Sequence, residues 1–165
     1  MILIRELQVK DVTLDYIEWF NNPAVIRFSD NQYRKFSIEA QREYVKNCEL
    51  SQNAYLYAIF SDQKLIGNIK LSNISTFHRR AEISYVIGNQ DYWGKGIAKV
   101  AISEIIKKAK LDFNLYKLFA GVASENISSI RVLEKNDFVL EGRRKDHLFY
   151  NGTYYDQLDY GLIIY

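Results

Sequence analysis

The sequence predicts an α+β fold, one mixed central β-sheet flanked by about four helices, in a single domain over residues 1–165. Three observations predict it. Short runs rich in β-branched and aromatic residues alternate with segments whose apolar residues recur at helical spacing. In mid-chain, a strand leads through a glycine turn into a long amphipathic helix. Near the end, Asn151-Gly152 separates two strand-like stretches, and Asn-Gly is the strongest short hairpin signal. A chain of 165 residues can bury a real core, and with one proline and no repeat nothing marks a linker.

The elements follow in order. Ile2 to Leu7 reads as a strand. Asp11 to Phe20 reads as a helix with Leu14 and Ile17 on its buried side, stopped by Asn21-Asn22-Pro23 because proline lacks an N–H and restricts its predecessor. Ala24 to Phe36 is irregular and mixes Arg27, Phe28, Tyr33, Arg34 and Phe36. Ser37 is an N-cap for a helix to about Cys48. Tyr55 to Phe60 and Lys64 to Leu71 form a hairpin across Ser61-Asp62-Gln63. Asn73 to Arg79 turns the chain, and Arg80 to Gly88 returns as a strand. Ile97, Ala98, Ala101, Ile102, Ile105 and Ala109 define one face of the long helix. Leu115 to Val122 is a further strand, Asn126 opens a further helix, and Phe138 to Tyr150 and Tyr154 to Tyr165 are the arms of the last hairpin.

Composition removes several function classes. A net charge of +2 lacks the concentrated basic face that nucleic acid requires. Cys48 is the only cysteine, so no intrachain disulfide forms and a reducing cytoplasm is the simplest setting. Two separated histidines and one cysteine offer no metal-ligand spacing. Arg5 and Glu6 interrupt any signal-peptide core, and no run approaches the roughly 20 apolar residues that cross a bilayer. The expectation is a cytoplasmic protein, monomer or homodimer, with neither nucleic acid nor membrane as partner. Aromatic residues make up 15% of the chain, and the many tyrosines of its last third suit a sheet face or a groove.

The chemistry-bearing stretch is Tyr92-Trp93-Gly94-Lys95-Gly96-Ile97-Ala98, between the strand Ala81–Ile87 (AEISYVI) and the long helix. Two glycines let the backbone approach a ligand closely. A helix start offers unpaired N–H groups and the positive dipole end, a seat for phosphate. Lys95 and Lys99 add positive charge. Alone, the pair reads equally well as a plain turn. A second segment breaks the tie: Asn126-Ile127-Ser128-Ser129-Ile130-Arg131-Val132-Leu133-Glu134-Lys135-Asn136-Asp137-Phe138, directly after the Leu115 strand.

Together the two segments resemble the GNAT superfamily of N-acetyltransferases. The first is similar to its Gln/Arg-x-x-Gly-x-Gly/Ala pyrophosphate turn, the second to its Asn-x-x-Ala/Ser…Glu-Lys-x-Gly-Phe helix. The wording NxxSxRVLEK, with Glu141-Gly142-Arg143 behind it, is nearest the RimJ/RimL-like branch. Asp91 departs from the family Gln or Arg, so its side chain is not expected to hold phosphate. Asp137 replaces a glycine, which is tolerable because Asp enters the left-handed region more readily than most residues.

The resemblance implies a GNAT fold and acetyl-CoA as cosubstrate, with no metal. Its pantetheine arm would enter between the splayed Ala81 and Leu115 strands, pairing with main chain near Val86 and Ile87. Trp93, Gly94, Lys95, Gly96, Ile97 and Ala98 would hold the pyrophosphate, with Asn126 and Lys135 near the pantetheine or the adenosine phosphates. Glu82 is the candidate base, or alternatively an ion-pair partner of Arg79 or Arg80. Leu133 stands where many members carry a proton-donating tyrosine. Ser129 is then the candidate acid, with Tyr85, Tyr150 and Tyr154 in reserve and His147 read as a surface residue. The acceptor amine is expected between Ala24–Phe36 and the last hairpin, touching Arg27, Phe28, Arg34, Arg143 and Tyr150. Short likenesses (Tyr16 to Pro23, Asn73-Ile74-Ser75) favour an amino sugar of a nucleotide-sugar. The Rim-type likeness favours a protein N-terminus, and a non-catalytic acyl-CoA-binding module is a further alternative.

Overall fold

A computed structural model describes residues 1–165. Seven strands form one sheet in the order β1-β2-β3-β4-β5-β7-β6. They are β1 (Ile2–Glu6), β2 (Tyr55–Ser61), β3 (Lys64–Ser75), β4 (Arg80–Ile87), β5 (Lys117–Ala123), β6 (Val139–Tyr150) and β7 (Thr153–Ile163). Four helices accompany them: α1 (Leu14–Asn21), α2 (Ile38–Leu50), α3 (Ile97–Leu111) and α4 (Ile127–Glu134). Every strand pairing is antiparallel except β4 with β5, which the α3 crossover makes parallel.

Helices cover both faces, which is why β2 reads as an unbroken apolar run rather than an alternating one. Leu56 and Ala58 point to a cluster with Tyr16, Ile17, Trp19 and Phe20 of α1 and Val45 of α2. Their neighbours Tyr57 and Ile59 point to the opposite face, where Ile97, Ala101, Ile102, Ile105 and Ala109 of α3 meet Leu133 of α4. The buried Tyr16 hydroxyl accepts from Gln41 Nε2 and Asn68 Nδ2, each at 3.0 Å, tying α1, α2 and β3 together.

Local chemistry sets the element ends, and in places moves them from where the sequence puts them. The first helix starts at Leu14, not Asp11. The Asp11 carboxylate accepts the Gln8 N–H and pairs with Arg5, closing a 3₁₀ turn over Val9–Asp11, and Thr13 then caps α1. Ser37 caps α2 through Ala40 N–H at 3.1 Å, and the helix runs two residues past Cys48 to Leu50. β3 continues through Asn73, read as a turn, because a bulge between Ser72 and Ser75 absorbs Asn73 at φ +50°. The Ala24–Phe36 segment contains a 3₁₀ turn, Asp30–Tyr33. Asp137 adopts φ +65° and ends α4. Asn151 and Gly152, at φ +53° and +75°, make the tight β6–β7 turn. No helix is long and apolar enough to cross a membrane.

Candidate active site

The parallel ladder between β4 and β5 is short. It holds Arg80↔Lys117, Ala81↔Leu118 and Glu82↔Phe119, and ends there. Beyond it β4 runs on to Ile87 beside β3, and β5 runs on to Ala123 beside β7. Their facing edges therefore diverge into a cleft bordered by unpaired main-chain groups, which a ligand amide can satisfy.

At the open end of β4 the chain enters the glycine turn. Gly94 and Gly96 both have positive φ, +71° and +75°, and Gly96 is the N-cap of α3 without any side-chain cap. A Cβ built at either glycine meets nothing within 4 Å, so these glycines answer a backbone requirement and an open approach, not a tight protein contact. No protein group accepts from the N–H groups of Gly94, Lys95, Gly96, Ile97, Ala98 and Lys99. Six successive free donors, two of them on left-handed glycines, lead into a helix start, an arrangement able to seat an anion.

Two sequence expectations change here. The Trp93 N–H is spent on the Gln90 carbonyl at 3.0 Å, so the free run begins at Gly94. The Trp93 indole instead donates to the Ile87 carbonyl at 2.7 Å, giving that carbonyl a partner before any ligand arrives. Trp93 thus braces the turn against β4. Lys95 Nζ lies 5.4 Å from the Tyr92 ring centre. Asp91 lines a separate groove with Asp15 and Glu18, against α1.

Across the cleft, Asn126 caps α4. Its Oδ1 accepts from Ser128 Oγ at 3.1 Å and from Ser129 N–H at 3.4 Å, leaving its amide NH₂ without a protein partner. Lys135, at the far end of α4, joins Lys99, Lys107 and Lys110 around a groove of about 610 Å³ beside α3. Four ammonium groups against Glu104 and Asp137 leave that groove cationic, a setting for further phosphate charge.

Glu82 stands at the apex of the cleft, in the last β4–β5 pair. Its carboxylate makes no ion pair with Arg79 or Arg80; Asn73 Nδ2 donates to it at 2.6 Å, while Arg79 binds Asn114. β4 alternation sends Glu82 to the opposite sheet face from Ile83 and Tyr85, which pack on the α3–α4 side. Leu133 is 2% exposed and belongs to the main core, so its position supplies packing and no proton.

Where the acceptor is expected, Ala24–Phe36 and the β6–β7 hairpin do meet, and they bond to each other directly. The Tyr150 hydroxyl donates to Asp30 at 2.7 Å, and Asn151 donates to the Arg27 carbonyl and to Gln32. Tyr33 donates to the Phe149 carbonyl, and Phe28 meets Tyr155 edge-on with ring centres 5.5 Å apart. Tyr150 is buried, and burial together with Asp30 raises its pKa. The expected arginine cluster is not free. Arg143 is held by Asp156 at 2.5 Å and Arg144 by Asp159 at 2.7 Å. The Asp156 carboxyl lies below the usual range because the Asp146 N–H and Arg143 both bond it. Arg27 lies over the Phe28 ring at 4.9 Å, and Arg27 and Arg34 are both exposed without an ion pair. Asp30 was not legible as a site residue: its partner Tyr150 is 120 residues away and no local pattern links them.

With this geometry in view, the comparisons agree. The family "Acetyltransferase (GNAT) domain" matches residues 2–139. Spermidine N(1)-acetyltransferase of Escherichia coli (strain K12) is 30% identical over 154 residues, covering 93% of this chain and 81% of that protein. The putative ribosomal N-acetyltransferase YdaF of Bacillus subtilis is 31% identical over 135 residues, covering 82% and 71%. A spermidine N-acetyltransferase from Vibrio cholerae, solved in complex with CoA and spermine, superposes with a TM-score of 0.88 at 24% identity over 99% of this chain and 95% of that one, a likeness of fold. A β4–β5 cleft leading to a run of free N–H groups, in a chain this family covers over most of its length, has one reading: the protein belongs to the GNAT acetyltransferases and is an acetyl-CoA-dependent N-acetyltransferase.

Proposed function

We propose that the acceptor is a small cationic molecule bearing a primary amine, of the polyamine class. Asp30 carries this reading. Its carboxylate makes no ion pair and is bonded only by the hydroxyl of Tyr150, whose ring stacks on Tyr33 with centres 6.3 Å apart. A carboxylate beside aromatic faces suits an alkylammonium. A nucleotide-sugar would call on guanidinium forks from both sides, and the hairpin arginines are already held by Asp156 and Asp159. The spermidine acetyltransferase relative supports the same class. A single cysteine and the use of acetyl-CoA support a cytoplasmic setting.

The residues take these roles in the proposal. The free N–H groups from Gly94 to Ala98 bind the pyrophosphate, Ile87, next to Val86 whose main chain faces β3, offers its N–H to the pantetheine, and Lys135 and the Asn126 amide hold the cofactor from α4. An alkyl amine titrates near the lysine value of about 10.4, so the ammonium must lose a proton before attack. Glu82, at the cleft apex, is the base that removes it. Ser129 serves the departing sulfur.

Release of CoA from acetyl-CoA, measured with diamines and spermidine, Ala- and Ser-initiated peptides and a UDP-amino sugar, tests the acceptor. The polyamine class should give the highest kcat/KM. Acetylated peptides with inert polyamines would move the enzyme to protein N-termini, and UDP binding at millimolar concentration would restore the amino sugar.

A further inference from the structure

Strand alternation puts the Glu82 side chain on the sheet face of Val86, where Val25, Ile26 and Phe36 of the irregular segment also pack. Its two carboxylate oxygens are not equivalent. Oε2 accepts from Asn73 Nδ2 at 2.6 Å, and Oε1 has no protein partner. The cations of that face do not bond it: Lys70 of β3 lies over the Tyr44 ring, Lys117 of β5 is held by Glu141, and Arg80 of β4 bonds no carboxylate. Asn73 owes its place to the β3 bulge. Two residues, Asn73 and Ile74, stand opposite Ala81 alone, between the pairs Ser72↔Glu82 and Ser75↔Arg80. Asn73 takes φ +50° there. A left-handed bulge position favours glycine. Asparagine is tolerated in that region, and it brings the amide that glycine lacks. The bulge thus delivers a donor to Glu82 in addition to its cross-strand partner Ser72.

We infer that Asn73 is a positioning residue: its amide pins Oε2 of Glu82 and so presents Oε1 to the acceptor ammonium. The inference rests on the role proposed for Glu82 as base. Oε1 takes one proton from the ammonium, and the freed lone pair bonds to the thioester carbon. The C–S bond breaks and its electron pair stays on sulfur. The second proton shed by the nitrogen ends on that sulfur, and Glu82 passes its own to water. A glutamate stem free to rotate would spend time turned away from the amine, and the Asn73 bond removes that freedom before the acceptor arrives. An amide N–H suits a carboxylate oxygen, whereas a second carboxylate in its place would repel it.

Two variants that both tolerate positive φ test this, assayed with the fastest acceptor among polyamines, peptides and the UDP-amino sugar. Asn73→Gly keeps the bulge and removes the amide. It should lower kcat about tenfold, the order of one hydrogen bond to a charged group, leave the KM for acetyl-CoA unchanged, and add no loss in a Glu82→Gln background. Asn73→Asp keeps the shape and sets a carboxylate against Glu82, so the acid limb of its kcat/KM profile should move to higher pH, because paired carboxylates hold a proton. A residue that only shapes the bulge would lower stability to denaturant and leave that limb where it is. Native kcat in Asn73→Gly, a fully additive loss in the Glu82→Gln background, or an unmoved acid limb in Asn73→Asp overturns the inference, while a loss of about 100-fold or more in Glu82→Gln would keep the base in place without it. If Glu82→Gln itself retains native turnover, the base role falls first and Asn73 with it.

Discussion

The two sides of the cleft are made of opposite materials. The side proposed for the cofactor is main chain: six free N–H groups within six consecutive residues, exposed because Gly94 and Gly96 accept positive φ. The side proposed for the acceptor is held by side chains: Asp30 with Tyr150 and Tyr33 with Phe149 join positions 120 and 116 residues apart. Recognition by backbone fixes a short local pattern, because only certain residues permit the geometry. Recognition by side chains from distant elements leaves none, so acceptors can differ while the phosphate turn stays the same.

Substitutions that load one side and spare the other sharpen this contrast. The largest effect is expected at the apex. Glu82→Gln should reduce kcat at least about 100-fold, the lower end for a general base, with acetyl-CoA affinity intact. A loss below threefold would return Glu82 to a sheet residue bonded by Asn73. Next is Leu133→Tyr, which writes the common family tyrosine back into α4. Leu133 is in the core, so overpacking should cost about 1–3 kcal/mol in denaturant unfolding without raising kcat. A faster enzyme of unchanged stability would mean that this position still faces the cleft.

Gly94→Val and Gly96→Val should each weaken CoA binding at least tenfold in calorimetry, about 1.4 kcal/mol, with acceptor KM unchanged. Since a Cβ there meets no protein atom, the loss would come from left-handed strain and shielded N–H groups. Equal affinity in both variants would take the pyrophosphate away from this turn. The smallest effect belongs to the other side. Asp30→Asn keeps a partner for Tyr150 but removes the charge, and should raise the KM of a cationic acceptor about threefold to tenfold, leaving acetyl-CoA KM alone; loss of a partly screened charge contact is of this order. A change in the acetyl-CoA KM instead would show that the two sides are not separable.

The same contrast explains what the sequence disclosed. The strand and helix order, the α3 apolar face, the Asn151-Gly152 turn and the left-handed Asp137 all follow from residue chemistry within a few positions. So does the glycine turn. What escaped depends on partners elsewhere in the chain. The start of α1 shifted because Arg5 engages Asp11, the Glu82 carboxylate found Asn73 across a strand bulge, and Arg143 went to Asp156 across the hairpin. Trp93 was expected to offer an N–H to phosphate, and its indole serves as a brace to Ile87. Tyr85 was legible only as a reserve proton donor beside Tyr150 and Tyr154, and its buried, unpaired hydroxyl emerged only from the fold.

The short ladder at Arg80–Glu82 has a mechanical consequence. Strands β1–β4 and β5–β7 form two leaves whose only shared rungs are three residue pairs at one end. Without ligand, the amides lining the gap should exchange with deuterated solvent far sooner than those within either leaf. A pantetheine arm that bonds both edges would splice the leaves into one elastic plate. Ligand at 100 times its dissociation constant adds about 2.7 kcal/mol to the folded state, and here that gain would register as stiffening along the whole seam.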